Sequence, residues 1–510
     1  MHFDLSRPGD LMAALGPDLV LIVGAMLLTI YAAWRPDSLR HQRSVGIASI
    51  VLVLLTIAAV VWYWLEAPTT TRGVVAVDNF RWAADLVFLL GTLATIALSI
   101  DYNDREGITA PETHVLVLLA TSGMMLLAGA RDLMMVFLGI ELMSVSSYVL
   151  VGMNRRSPRS AEGALKYFLL GAFSTGFLLY GIALVYGATA STDLLVIGDR
   201  ILQYRLMTHP LLLAGMGLMV IGFGFKIAAA PFHMWAPDVY EGAPTPITAY
   251  LAAAAKAAAF AAFLRVFFEA LGWAHVEWHT PIWWLAAVTM VAGNVIALAQ
   301  RNIKRILAYS SIAHAGYIMV AFTTGNAQLA VTAFVFYLFS YTLATMGAFG
   351  VVSAIGHPGE RGLHTDDYAG LWHVRPGLAV AMSVFMLALL GFPLFGGIGF
   401  FAKWYVIQAL LQARSPQTIL AVVLVLTSVV SAGYYLYVVM VMFMKARPAG
   451  ALVPARVGGV TGTVIGAMAA LILILGLFPN YLLEWSRDSG PRIPPAVVES
   501  GQPVTSAFTR

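Results

Sequence analysis

Fourteen runs of about 20 apolar residues, each bounded by charges or by Pro and Gly, occupy most of the chain. They lie near 16–34, 45–65, 83–100, 114–130, 133–152, 162–187, 211–240, 246–271, 281–300, 306–324, 327–355, 376–412, 418–444 and 459–480. A helix of that length crosses the roughly 30 Å hydrocarbon core of a bilayer, where only helices and closed barrels satisfy every backbone polar group. The fold class predicted is an all-α polytopic membrane protein of about 14 transmembrane helices. Composition excludes a soluble globule: 60% of residues are hydrophobic and 11% charged, whereas soluble domains carry about a quarter charged. The first run follows acidic residues rather than a basic segment and lacks a small-residue cleavage site, so it reads as a retained span and not a signal peptide.

Two runs are too long for one straight span. The seventh contains Pro231, with Pro237, Pro244 and Pro246 before the eighth begins, and the twelfth contains GFPLFGGIGFFAK, from Gly391 to Lys403. Proline removes a backbone donor and clashes with the preceding turn, and paired Pro/Gly interruptions mark discontinuous transporter helices. The breaks lie five spans apart, which predicts two copies of a five-helix unit, spans 4–8 and 9–13. An odd helix count inverts the second copy. The sequence echo between them is short, Gly222-Phe-Gly-Phe-Lys226 against Gly397-Ile-Gly-Phe-Phe-Ala-Lys403. The expected organisation is an N-terminal three-helix segment (1–112), a first repeat (113–272), a second repeat (273–445) and a C-terminal helix with its tail (446–510). With the N-terminus outside, the inner loops hold 15 Lys and Arg and the outer segments 10, which places both termini on the periplasmic side.

Charge inside these spans is the functional signal. Lys226 and Lys256 flank the first break within apolar sequence. A charged side chain at the centre of a spanning helix costs about 2.5–3.5 kcal/mol on the mildest insertion scale, so each is a functional candidate. Lys256 follows Pro246 by ten residues, about 15 Å of helix, which sets it near the bilayer midplane and too deep to snorkel. Glu141, the acidic residue of the fifth span, is also near the middle and needs a cation to stay ionised; Lys226 is the natural partner. Burial opposes a lysine's charge and a nearby carboxylate favours it, and that competition makes a group able to pass a proton on. Lys403, just beyond the second break, should play in the second repeat what Lys226 plays in the first, solvated by freed carbonyls and water. Glu162 and Lys166, four apart at the start of the sixth span, suit either a relay or a helix-end salt bridge. His233, in the APFHMW turn, and His314, in the tenth span, suit either a relay or a simple hydrogen bond to a carbonyl. The competing reading of the whole row is a set of ion pairs that only lock helices together.

Other chemistries are excluded more directly. The chain has no cysteine, which rules out thiolate-held iron–sulfur clusters, zinc sites and disulfides. A net charge of +4 reflects basic membrane-flanking loops, without the clustered basic domain that nucleic acid requires. The GxG patterns lie in apolar spans with no strand–turn–helix context for a phosphate. His357, His364 and His373 fall in one loop, and no two histidines on facing spans suit a haem. Tyrosines near span ends read as interface anchors rather than a quinone box.

The lysine of the seventh span followed by APFHMWAPDVYEGAPTPITAYLAAAAK, with Glu141 in the fifth span and two broken helices, resembles the antiporter-like membrane subunits of respiratory complex I over essentially the whole chain. Lys403 in the twelfth span, where another branch of that family has glutamate, and a tail after Pro479 too short for a long lateral helix narrow the resemblance further. The resemblance implies a proton channel in the bacterial inner membrane, driven by redox chemistry elsewhere. Glu141 and Lys226 would be the switching pair, Lys256 the central relay, and Lys403 the residue that hands the proton toward one side. It implies no cofactor in this chain, with NADH, FMN, iron–sulfur clusters and quinone held by partner subunits. It also implies neighbouring antiporter-like and small membrane subunits as partners. The same fold serves multi-subunit sodium/proton antiporters and energy-converting hydrogenases, and a scaffold whose charged row is idle is the reading from another class.

Overall fold

The computed structural model describes residues 8–66, 73–324, 327–393, 397–413, 415–448 and 453–490. Twelve of its helices are long and apolar enough to cross a membrane singly. In chain order these are α1 (Gly16–Ala33), α2 (Leu39–Glu66), α3 (Asn79–Glu106), α4 (Glu112–Gly129), α5 (Leu133–Val151) and α6 (Pro158–Thr189), then, after α7, α8 (Thr245–Ala270), α9 (His275–Leu298), α10 (Ile303–Val320) and α11 (Ala327–Ile355), and finally α13 (Thr418–Met444) and α14 (Gly459–Leu477). The other two expected spans are the discontinuous ones. α7 runs Pro210–Lys226 and stops, with a short helix, Ala236–Gly242, beyond the break; α12 has two halves, Pro376–Leu390 and Gly397–Leu411. Of the second break, residues 394–396 lie outside the described residues. The fold is the all-helical bundle of 14 spans with two inverted five-helix units. Two amphipathic helices, Leu194–Gln203 between α6 and α7 and Pro479–Asp488 after α14, were not expected from the apolar runs.

The repeat is visible in packing that the sequence echo only hints at. A Cβ on Gly123 of α4 would meet Met143 N of α5 at 2.6 Å, and one on Gly293 of α9 would meet Ala313 N of α10 at 2.6 Å. Each glycine lets two antiparallel helices approach to backbone contact, the small-residue packing that stabilises helix pairs in lipid. Each unit also ties its second helix to a later loop by a short bridge, Asp132 to Asp193 in the first and Asn302 to His364 in the second. Asp132 and Asn302 cap α5 and α10, accepting from Met134 N and from Lys304 N.

At the centre lies α8, whose membrane window is fully buried while α1 and α14 are 22% buried. Its run of alanines around Lys256 lets α3 close on it, since a Cβ on Gly91 would lie 3.0 Å from the Ala254 Cβ. Loops expected on the inner side meet at one face around an open cavity of about 960 Å³, lined by Glu106, Arg159, Glu241, Asn302 and Glu360 among others.

The Gly293 contact makes a prediction about stability. Gly293→Ala should destabilise the protein by about 1–3 kcal/mol through overpacking, whereas Gly176→Ala, where a Cβ meets nothing within 4 Å, should be silent. Thermal unfolding of the purified complex checks it, and equal midpoints for the two variants would refute the packing argument.

Candidate functional site

Lys226 and Lys256 sit where their helices depart from regular α geometry, and Lys403 lies within the half-helix that follows the second break. α7 ends at Lys226 because Pro231 cannot continue the ladder, and the chain turns through Ala228 at φ 57°. Ala230 N is taken up by Thr289 Oγ1 of α9 at 2.9 Å, and Phe225 O by Trp235 Nε1 at 3.0 Å, so the broken backbone is satisfied inside the protein. The Lys226 ammonium donates to Ser144 Oγ at 2.7 Å and to Tyr148 Oη at 3.4 Å. Tyr148 packs edge-on against Tyr167, which stacks on Trp235 at 4.6 Å, closing the site from lipid.

Glu141 lies one and two turns from Ser144 and Tyr148 on the same face of α5. The two do not touch: among the described residues no salt bridge joins Glu141 to Lys226, and Ser144 receives the ammonium. The carboxylate does act on both Lys226 and Tyr148 through space.

Lys256 follows a stretch of i→i+5 bonding, Leu251–Ala255, that the alanine-rich sequence gave no reason to expect. Such bulges gather at functional sites because they free a carbonyl and re-aim a side chain. Lys256 is 2% exposed and donates to Ser311 O at 2.8 Å and to Ser311 Oγ. The same hydroxyl takes a bond from Tyr341 Oη at 2.8 Å.

His314, one turn along α10, is held at both ring nitrogens, Nδ1 with Tyr337 Oη at 2.8 Å and Nε2 with Tyr435 Oη at 3.2 Å. It lies within electrostatic reach of Lys256 and Lys403 together. A cavity of about 10 Å³ between His314, Tyr341 and the α12 residues Leu389 and Gly399 has the size of a single water site. Lys403, from the second half of α12, donates to Leu390 O, the last carbonyl of the first half, at 2.8 Å and sits 4.8 Å over the Tyr317 ring.

The remaining candidates lie off this row. Lys166 bridges Glu162 and Asp238, both at 2.7 Å, with its side chain 41% exposed. It belongs to an ion-pair network in which Arg305 holds Asp238 and Glu241 at 2.9 and 3.0 Å. His233 stands half-buried in the turn after α7, without a side-chain bond to the row among the described residues.

Three features escaped the sequence reading. Tyr317, Tyr337, Tyr341, Tyr434 and Tyr435 are buried partners of the row rather than interface anchors; their clustering on α10, α11 and α13 shows only when those helices pack. Glu360, in a left-handed turn at φ 51°, joins Lys304 (2.8 Å), Tyr102 (2.5 Å) and Thr245 Oγ1 (2.8 Å) from three helices. Burial works against its charge, but Lys304 and the two hydroxyls hold its carboxyl below the usual range. The third is a buried cluster at the end of the bundle opposite Glu360. There Arg265 grips Asp78 at 2.6 Å and Glu269 at 2.7 Å, Arg131 lies 3.5 Å from Asp78, Arg81 pairs with Asp18, and Asp85 stands nearby.

Over residues 130–431 the chain matches the family described as NADH:quinone oxidoreductase/Mrp antiporter, TM. NADH-quinone oxidoreductase subunit N of Gemmatimonas aurantiaca is 52% identical over 493 residues, 95% of this chain and 94% of the relative. The subunit N of Trichlorobacter lovleyi is 43% identical, across 93% and 96%. The chain belongs to the subunit N family. A chain of respiratory complex I from Thermus thermophilus superposes with a TM-score of 0.77 at 37% identity, covering 93% of this chain and 100% of that one. A chain of the Mrp complex from Dietzia sp. DQ12-45-1b shares the fold, with a TM-score of 0.81 at 21% identity over 95% and 98%.

Because Ser144 receives the Lys226 ammonium from the α5 face that also carries Glu141, its hydroxyl should contribute to their coupling. A double-mutant cycle on turnover with Glu141→Gln and Lys226→Ala should give a non-additive term that shrinks in a Ser144→Ala background. Strictly additive losses would mean the two charges do not communicate.

Proposed function

We propose that this chain carries protons across the bacterial inner membrane as a membrane-arm subunit of a proton-translocating NADH-quinone oxidoreductase, driven by electron transfer in partner subunits. The observation that supports it most is the buried row Lys226, Lys256 and Lys403, each given hydroxyl or carbonyl partners at a break or bulge, in a chain 52% identical to a subunit N. A structural ion pair needs a carboxylate at each cation; here Ser144, Ser311 and Leu390 O fill those places. A serine hydroxyl oxygen accepts from an ammonium and from the N–H of a neutral amine alike, so Lys226 and Lys256 keep a partner in both protonation states.

In this reading Glu141 biases the Lys226 charge through Ser144, Lys256 relays at the centre, and the hydroxyls around His314 connect it to Lys403, which hands the proton to one side. NADH, FMN, the iron–sulfur clusters and the quinone belong to partner subunits, and the neighbours are antiporter-like and small membrane subunits. Both termini face the periplasm. The functional units divide as 1–112, 113–272, 273–445 and 446–510.

Lys256→Ala should assemble, since it leaves no unpaired charge, and lose most of its NADH-driven proton uptake in sealed vesicles; normal pumping at normal assembly would remove Lys256 from the path. Lys403 separates carrier from strut. Arginine keeps the charge but does not release a proton at working pH, so Lys403→Arg should impair pumping nearly as much as Lys403→Ala. A tolerated arginine with a damaging alanine would make Lys403 structural.

A further inference from the structure

The buried outer cluster holds four carboxylates, Asp18, Asp78, Asp85 and Glu269, against three guanidiniums, Arg81, Arg131 and Arg265. Three of the acids are engaged. Asp18 pairs with Arg81, Asp78 takes two bonds from Arg265 at 2.6 and 3.0 Å, and Glu269 takes one from Arg265 at 2.7 Å. Asp85 has only a distant contact, 3.7 Å from Arg81 Nε, with 0% of its side chain exposed. Neither of its oxygens receives a hydrogen bond among the described residues. An extra carboxylate without donors is strongly disfavoured in such a place, so charge balance puts a proton on Asp85.

Its level in the bundle gives that proton a use. α3 and α8 run side by side with Gly91 against Ala254 and Phe80 under the Arg265 guanidinium, 4.9 Å from the ring centre. Between these two contacts Asp85 falls about one helical turn, roughly 6 Å, to the outer side of the Lys256 level. From there Asp18, Asp78 and Glu269 continue to the outer loops, and Arg81, Asp18, Arg265 and Asp78 all act on Asp85 electrostatically. We infer that Asp85 is a proton-exchanging residue between the Lys256 level and the outer surface. Its neutral carboxyl releases a proton outward, leaving a carboxylate beside Arg81, and takes the next from the row. This rests on the proton path proposed through Lys256.

The test compares D85N, D85E and K256A in the intact complex in sealed vesicles. D85N, an isostere of the neutral acid, should assemble with normal thermal stability and lose most NADH-driven proton uptake, while D85E should keep most of it. Infrared difference spectra should show a protonated-carboxyl band that D85N lacks and D85E shifts. Full pumping by D85N beside a defective K256A overturns the inference and leaves the path standing; full pumping by K256A overturns the path itself. Should D85N fail to assemble, the D85E spectrum decides: a shifted band supports a protonated, exchanging Asp85, and an unchanged one overturns it.

Discussion

A cation buried in a membrane protein must be solvated by the protein, and a regular helix offers it side-chain hydroxyls and at most a shared carbonyl, as Ser144 and Ser311 do here. Every backbone carbonyl in an unbroken α-helix is already taken by an amide four residues on. The three lysines of this row each lie beside a departure from helix regularity: the end of α7 at Lys226, the i→i+5 stretch before Lys256, and the gap in α12 before Lys403. Lys403 uses the freed backbone most plainly, on Leu390 O at 2.8 Å. The gap in α12 is what lets this buried amine find a backbone partner at that depth.

This constraint explains why α8 is central. Its alanines bury no polar group and leave room for α3 and α4 to close on it, so the one ammonium it carries has no access to lipid or bulk water. Lys256 belongs to the first unit, yet its partners Ser311 and, one bond further, Tyr341 belong to the second. The row crosses the boundary between the units here, and the glycine-lined contacts within each unit fix the helix positions on which that crossing depends.

How much of this the sequence discloses follows from the range of each interaction. The spans, both breaks and the four charged residues of the row are local facts, readable because an apolar run and a charge inside it are conspicuous against each other. The relation of Glu141 to Lys226 is legible only as an interaction through space; which side chain takes the ammonium, Ser144 on the same helix, is a matter of packing. The tyrosines around His314 and the cluster of Asp18, Asp78, Asp85, Arg81, Arg131, Arg265 and Glu269 were not legible, because their members come from several helices and acquire meaning only from partners up to 187 positions away.

The two units are not electrostatic copies. Gly123 and Gly293, their contacts Met143 and Ala313, and the caps Asp132 and Asn302 each differ by 170 positions, and the same register sets Glu141 against Ser311 and Ser144 against His314. The carboxylate of the first unit thus has a serine as its counterpart, and that serine is the one that receives Lys256 from the first unit. One acid serves a row of three lysines. Charges that share a low-dielectric interior repel over distances that water would screen, so full protonation of the row is opposed by its own members, and His314 in their midst feels both Lys256 and Lys403. A proton added at one end therefore weakens the hold on the next.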